Sequence, residues 1–162
     1  MRFINAARAT FLAIVALGSM NSIKSQTKNE KNMNTIEIVD NSKKRILARG
    51  CDPQLTQSFG KMISPQIGNP EYVGVSNDVE FLEKLKTEQW SVIYFAPGAC
   101  RFSDAKMPIP GGNMDTQGWT LEDYKKVIIE YQSEDIQIAE SLYESESLNE
   151  LVKALTKSKN VK

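Results

Sequence analysis

The chain has 162 residues, 41% of them hydrophobic and 25% charged, with 20 basic side chains balancing 20 acidic ones. That is the composition and length of one ordinary globular domain able to bury a core, and the balanced charge supplies no counterion-release drive toward nucleic acid. Histidine is absent, which removes Ser-His and Cys-His nucleophile activation, HExxH zinc sites and imidazole pH switches.

Only Cys51 and Cys100 are available as thiols, too few for the four ligands of a structural zinc, and no EF-hand spacing of carboxylates occurs. No metal or other cofactor is expected, and a binding or accessory role is favoured over an enzyme.

The opening, "MRFINAARATFLAIVALGSMNSIKSQ", runs from Arg2 and Arg8 through an apolar stretch at residues 9–17 to small and polar residues. This order reads as a signal peptide over residues 1–25, with an apolar core shorter than the roughly 20 residues needed to cross a bilayer. The expectation is a secreted or periplasmic protein with no membrane span after cleavage. Cleavage near Ser25 removes three basic residues and no acidic one, leaving a net charge of −3.

Residues 26–34 are a polar leader. One α/β domain is predicted over 35–158, with a disordered tail at 159–162. Ile36 and Ile38, then Ile46 and Ala48, alternate about Asp40–Lys43 and read as an N-terminal β-hairpin. In the next stretch Asp52 caps, Pro53 opens a helix, and Leu55, Phe59, Met62 and Ile63 share its apolar face.

From there short strands and helices alternate. A strand is predicted at Tyr72–Val75, and Asn77 with Glu80 starts a helix carrying Phe81, Leu82 and Leu85. The strongest strand is Ser91–Ala96, followed by a long irregular segment from Pro97 to Gly118. Thr120 and Asp123 open a helix with Leu121, Tyr124, Ile128 and Tyr131 on one face. The last strand is Ile136–Ala139, and Ser147 with Glu150 opens the final helix. The order β-α-β-loop-α-β-α predicts a small three-layer α/β sandwich with a mainly parallel sheet.

Open parallel sheets bind ligands at the carboxyl ends of their strands. The predicted topology brings Asn77, the 97–113 segment and Ser141 to that end. The segment is far longer than an ordinary strand-to-helix link and holds Arg101, Ser103, Asp104 and Lys106, with Gly111 and Gly112 able to let backbone amides approach an anion. It contains no phosphate-binding glycine motif. Asn77, Arg101, Asp104, Lys106, Gly111, Gly112 and Ser141 are the candidate residues for a small polar ligand or a protein partner; a rigid cover over the sheet end is the alternative role for the loop. The acidic pairs Glu122/Asp123, Glu134/Asp135 and Glu144/Glu146 fall at helix starts and turns, where solvation and the helix dipole account for them.

Residues 77–104, "NDVEFLEKLKTEQWSVIYFAPGACRFSD", also resemble the opening of thioredoxin-like domains, in which a helix leads into an apolar strand and an active cysteine begins the next helix. The resemblance implies a redox role with Cys100 as nucleophile and Ser103 in place of the resolving cysteine. Ala99 stands where that family usually has tryptophan, and after Ala139 there is a helix and a tail instead of the family's later strand pair. The other use open to Cys100 is a disulfide with Cys51, closing a loop of about 50 residues; two unpaired buried thiols are the third.

Overall fold

The computed structural model describes residues 39–161. The expected signal peptide, the polar leader and Ile36 and Ile38 lie outside the described residues. Ten elements follow in order: β1 (Arg45–Arg49), α1 (Pro53–Ile63), a 3₁₀ turn (Ser64–Ile67), β2 (Glu71–Val75), α2 (Asp78–Thr87), β3 (Val92–Phe95), α3 (Pro97–Asp104), α4 (Leu121–Tyr131), β4 (Gln137–Glu140) and α5 (Glu144–Lys157).

The four strands form one parallel sheet in the order β2-β1-β3-β4. Arg45 lies opposite Glu71, Ile46 opposite Val92, and Val92 opposite Gln137. The expected α/β sandwich with a parallel sheet is therefore present. The hairpin is corrected: both edges of β1 are occupied by parallel neighbours, so Ile46–Ala48 belongs to an inner strand and is not one arm of an antiparallel pair. An apolar strand buried on both faces is what an inner parallel position demands, and Ile46, Leu47 and Ala48 are fully buried.

Alternation along the strands divides the core in two. Leu47, Val75, Ile93 and Phe95 pack with Phe81 and Leu85 of α2 and with Tyr124 and Ile128 of α4. Ile46, Ala48, Val92, Tyr94 and Ala139 pack with Ile63 of α1 and with Leu151 and Leu155 of α5.

Helix starts follow local chemistry. Asp52 Oδ1 accepts from the Leu55 amide at 2.8 Å, and Asn77 Oδ1 from the Glu80 amide at 2.9 Å. At α4 the Asp123 carboxylate accepts from both the amide and the hydroxyl of Thr120, at 3.0 and 2.8 Å. These caps satisfy donors that a helix otherwise leaves open.

Two further boundaries and one helix face differ from the sequence reading. The segment after β3 begins as helix α3, so irregular chain occupies only 105–120. Helix α5 starts at Glu144 instead of near Ser147, which is buried within its first turns. On α1 the buried residues are Thr56, Gly60 and Ile63, while Leu55 and Met62 are 70% and 58% exposed. The helix lies too close to the sheet for a large side chain there, because a Cβ on Gly60 would enter the ring of Tyr72. Of the expected tail, Val161 donates its amide to Lys43 O at 3.2 Å and Lys159 pairs with Asp135.

Candidate functional site at the carboxyl end of the sheet

Strand β1 connects outward to β2 on one side, whereas β3 connects outward to β4 on the other. The connections therefore diverge between the ends of β1 and β3, where doubly wound sheets open a crevice. Its two sides differ in chemistry.

On the α2/α4 side the crevice is closed. Arg49 and Asp78, both wholly buried, pair through Nε and Oδ1 at 2.8 Å. Arg49 also donates to the carbonyls of Gly50 and Pro110, while Asp78 Oδ2 accepts from the Thr116 hydroxyl at 2.7 Å and the Tyr124 hydroxyl at 2.6 Å. Burial beside the Asp78 carboxylate pushes the Tyr124 phenol up. Every ionic group in this cluster is hydrogen-bonded, as charge in a dry interior requires.

The same cluster pins the loop. Pro110 and Thr116 belong to it, Ile109 is buried in the adjoining core, and Gly111 O accepts from the Asp78 amide at 2.8 Å. Gly111 has φ +85, and a Cβ there would strike the carbonyl oxygen of Ser76, so this glycine serves backbone contact. Gly112 sits beside Thr116 and Asp78. Lys106 has φ +56 and its amide bonds to Ser103 O, closing the end of α3. These three residues fasten a cover, and they do not line an anion cradle.

The remaining sequence candidates are dispersed. Asn77 is engaged in capping α2. Ser103, Asp104 and Ser141 border a groove of about 540 Å³ whose other walls carry Glu122, Glu140, Glu146 and Glu150. Within it the Ser103 hydroxyl accepts from the Leu121 amide at 3.2 Å. Arg101 faces a different cleft. The structure thus does not gather Asn77, Arg101, Asp104 and Ser141 into one polar pocket, because α3 separates the last two from Arg101's cleft.

Cys100 lies on the core side of α3, with its amide already bonded to Ala96 O and its thiol donating to Phe95 O at 3.3 Å. Burial pushes the thiol up to about 11, the opposite of the depressed value an attacking thiolate needs. Cys51 is half-buried and also raised by burial, with Arg49 and Arg101 pulling the other way. Both cysteines are free thiols in the structure. The all-parallel sheet contains no antiparallel strand pair among the described residues, so the later pair implied by the thioredoxin-like resemblance is not found there.

On the α1/α5 side the crevice is open, forming a cleft of about 500 Å³. Its aromatic walls are Phe59, stacked on Tyr94 at 6.0 Å between ring centres, and Tyr72, edge-on to Phe59 at 6.2 Å. Leu55 and Met62 continue the apolar wall toward solvent. The mouth is formed by the strand ends, Gly50-Cys51 and Ala96-Pro97-Gly98, with Arg101 and Glu144 facing them.

The polar side chains of the lining are Asp52, whose Oδ1 caps α1, with Thr56, Ser58, Tyr72, Tyr94, Arg101, Glu144 and Ser147. The Tyr94 and Ser147 hydroxyls are bonded at 2.7 Å, and both also meet the hydroxyl of Ser141, which does not line the cleft, at 3.1 and 2.9 Å. The Tyr72 hydroxyl is buried and has no hydrogen-bond partner among the described residues. Arg101 Nη1 donates to Leu142 O and to Glu144 Oε1, both at 3.0 Å.

Sequence reasoning missed Arg49, Asp78, Thr116 and Tyr124 as a unit. A usable signal exists: Arg49 directly follows the apolar run Ile46–Ala48 of an inner strand, and an arginine buried there needs a buried anion. It also missed the cleft, because Leu55, Phe59 and Met62 look identical in sequence to an ordinary core-facing stripe.

The fold and the cleft define a doubly wound parallel α/β domain with an apolar ligand-sized opening at its switch point. No protein-family model matches the chain, and no curated protein is significantly similar to it. Among the described residues no cluster of acidic or thiol groups is arranged to hold a metal ion, and no helix is long and apolar enough to cross a membrane.

Proposed function

We propose that this protein is an exported, non-catalytic binding domain that takes a small, largely apolar molecule into the cleft between α1 and α5. The observation that carries the proposal is the cleft itself, apolar-walled and set where β1 and β3 connections diverge, which is where such folds bind ligands. Its volume of about 500 Å³ falls within the range of small-molecule sites. The start of the 97–113 segment contributes through Pro97, Gly98 and Arg101, while the rest of the segment supports the sheet end. Export rests on the charge and apolar pattern of residues 1–25.

The test is titration of ¹⁵N-labelled protein with a neutral naphthalene ketone. Saturable shifts are expected at Cys51, Phe59, Tyr94 and Gly98, and they should weaken when Leu55 and Met62, both exposed, are changed to glutamate. Shifts confined to residues 105–119, or no saturable binding, would overturn the reading. Export is tested separately by mass analysis of the mature chain, which is expected to begin near Gln26.

A further inference from the structure

Within the cleft the protein has already positioned one carboxylate of its own. Glu144 is the first residue of α5, a helix of 14 residues whose N-cap, Tyr143, contributes no side-chain hydrogen bond. The Glu144 carboxylate pairs with Arg101 Nη1 at 3.0 Å, with the two side chains 73% and 50% exposed. Its own backbone N–H and then Arg101 hold the Glu144 carboxyl below its ordinary value. This corner of the cleft therefore favours a carboxylate, through a guanidinium and the positive end of a helix.

Arg101 also keeps capacity in reserve. Among the described residues its hydrogen bonds leave from Nη1 alone, so Nε and Nη2 remain available as the two-pronged face that grips a carboxylate. The same cleft has aromatic walls, with Phe59 stacked on Tyr94. An anion at the mouth and an apolar ring inside is the arrangement these surfaces complement.

We infer that the cleft's ligand is an arylalkanoic acid, its carboxylate on Arg101 in place of Glu144 and its ring against Leu55, Phe59 and Met62. This rests on the binding function proposed above and specifies its chemistry. Glu144 acts as an internal competitor that occupies the anion position when the cleft is empty. The acid binds by displacing a side chain that is itself largely in solvent, so the exchange breaks no buried contact.

The probes are 3-phenylpropionate and its neutral analogue 3-phenylpropan-1-ol, titrated by calorimetry and NMR against the parent, Arg101→Gln and Glu144→Gln. Both substitutions are at exposed side chains. The parent is expected to bind the acid at least about 10-fold more tightly than the alcohol, in line with the strength of charge-assisted pairs. Arg101→Gln should abolish that preference, bringing the acid's affinity down to that of the alcohol. Glu144→Gln should tighten the acid several-fold and widen its preference over the alcohol, a gain that a purely structural role for Glu144 would not produce. Equal binding of acid and alcohol by the parent overturns the carboxylate inference while leaving the cleft as a binding site. Acid preference that survives Arg101→Gln, or acid binding that weakens in Glu144→Gln, also overturns it. Failure of both probes and of the naphthalene ketone removes the binding function itself.

Discussion

Asp78→Asn probes the feature on which the sheet's carboxyl end depends most. Asp78 is wholly buried and accepts from Arg49 Nε at 2.8 Å, the Thr116 hydroxyl at 2.7 Å and the Tyr124 hydroxyl at 2.6 Å. Asparagine can keep the number of bonds, turning its oxygen to Arg49 and its amide to the two hydroxyls, which rotate to accept. What it cannot keep is the charge. Arg49, also wholly buried, is left as an uncompensated cation, and breaking a buried pair this way costs about 3–5 kcal/mol. Against a typical total of roughly 5–15 kcal/mol, that is a large fraction.

Urea unfolding followed by circular dichroism at pH 7 measures the loss, with an unchanged m-value certifying that stability alone moved. The double variant Arg49→Met/Asp78→Asn removes both charges and leaves Gly50 O and Pro110 O without their donor, about 1 kcal/mol each. It should therefore be more stable than the sum of the single losses by roughly 2 kcal/mol or more. Trypsin cleavage after Lys106, in the loop pinned through Pro110 and Thr116, should accelerate in the single variant. A single-variant loss under about 1 kcal/mol, or additive losses in the double variant, would refute the view that this pair anchors the cover.

Other consequences are equally direct. Gly111→Ala places a side chain at φ +85 against the Ser76 carbonyl, and a loss of at least about 2 kcal/mol in urea unfolding is expected; wild-type stability would mean the loop shifts freely. Asp123, held at about 2 by the hydrogen bonds from Thr120, contributes stability that is complete above the ordinary aspartate range and is lost as pH falls toward 2. In Asp123→Asn the stability difference from the parent should therefore shrink between about pH 4 and pH 2, and a difference that grows on acidification would contradict the capping box. Because burial pushes Cys100 up to about 11, iodoacetamide should modify Cys51 first in the native protein and reach Cys100 rapidly only after denaturation. Faster native labelling of Cys100 would restore it as a reactive thiol.

Much of the local structure was legible because it depends on neighbours in sequence. Asp52, Asn77 and the Thr120/Asp123 pair announce helix starts whose donors they satisfy within three residues. The apolar run ending at Phe95 announces an inner strand, since no surface strand would be apolar on both faces. The hairpin failed where locality fails: Ile46 and Ala48 alternate correctly in either arrangement, and only pairing with β2 and β3 distinguishes them. The apolar stripe of α1 failed for a related reason. Periodicity identifies that Leu55, Phe59 and Met62 share a face, but the small Thr56 and Gly60 fit closer to the sheet and rotate that face toward a cleft.

What the amino-acid order determined alone was the class: alternating elements joined by crossovers too long for hairpins, which fold only as a parallel sheet covered on both sides. It also determined what chemistry is missing, since no tertiary arrangement supplies an imidazole the chain does not contain. The tertiary structure decided which polar residues meet. Arg49 and Asp78 are 29 positions apart, and Arg101 and Glu144 are 43 apart; each pair is joined only when strand order β2-β1-β3-β4 brings their elements to one end of the sheet. Burial then separates their roles, because charge withdrawn from water must be fully paired and so builds the scaffold, while charge left at a cleft mouth can exchange its partner.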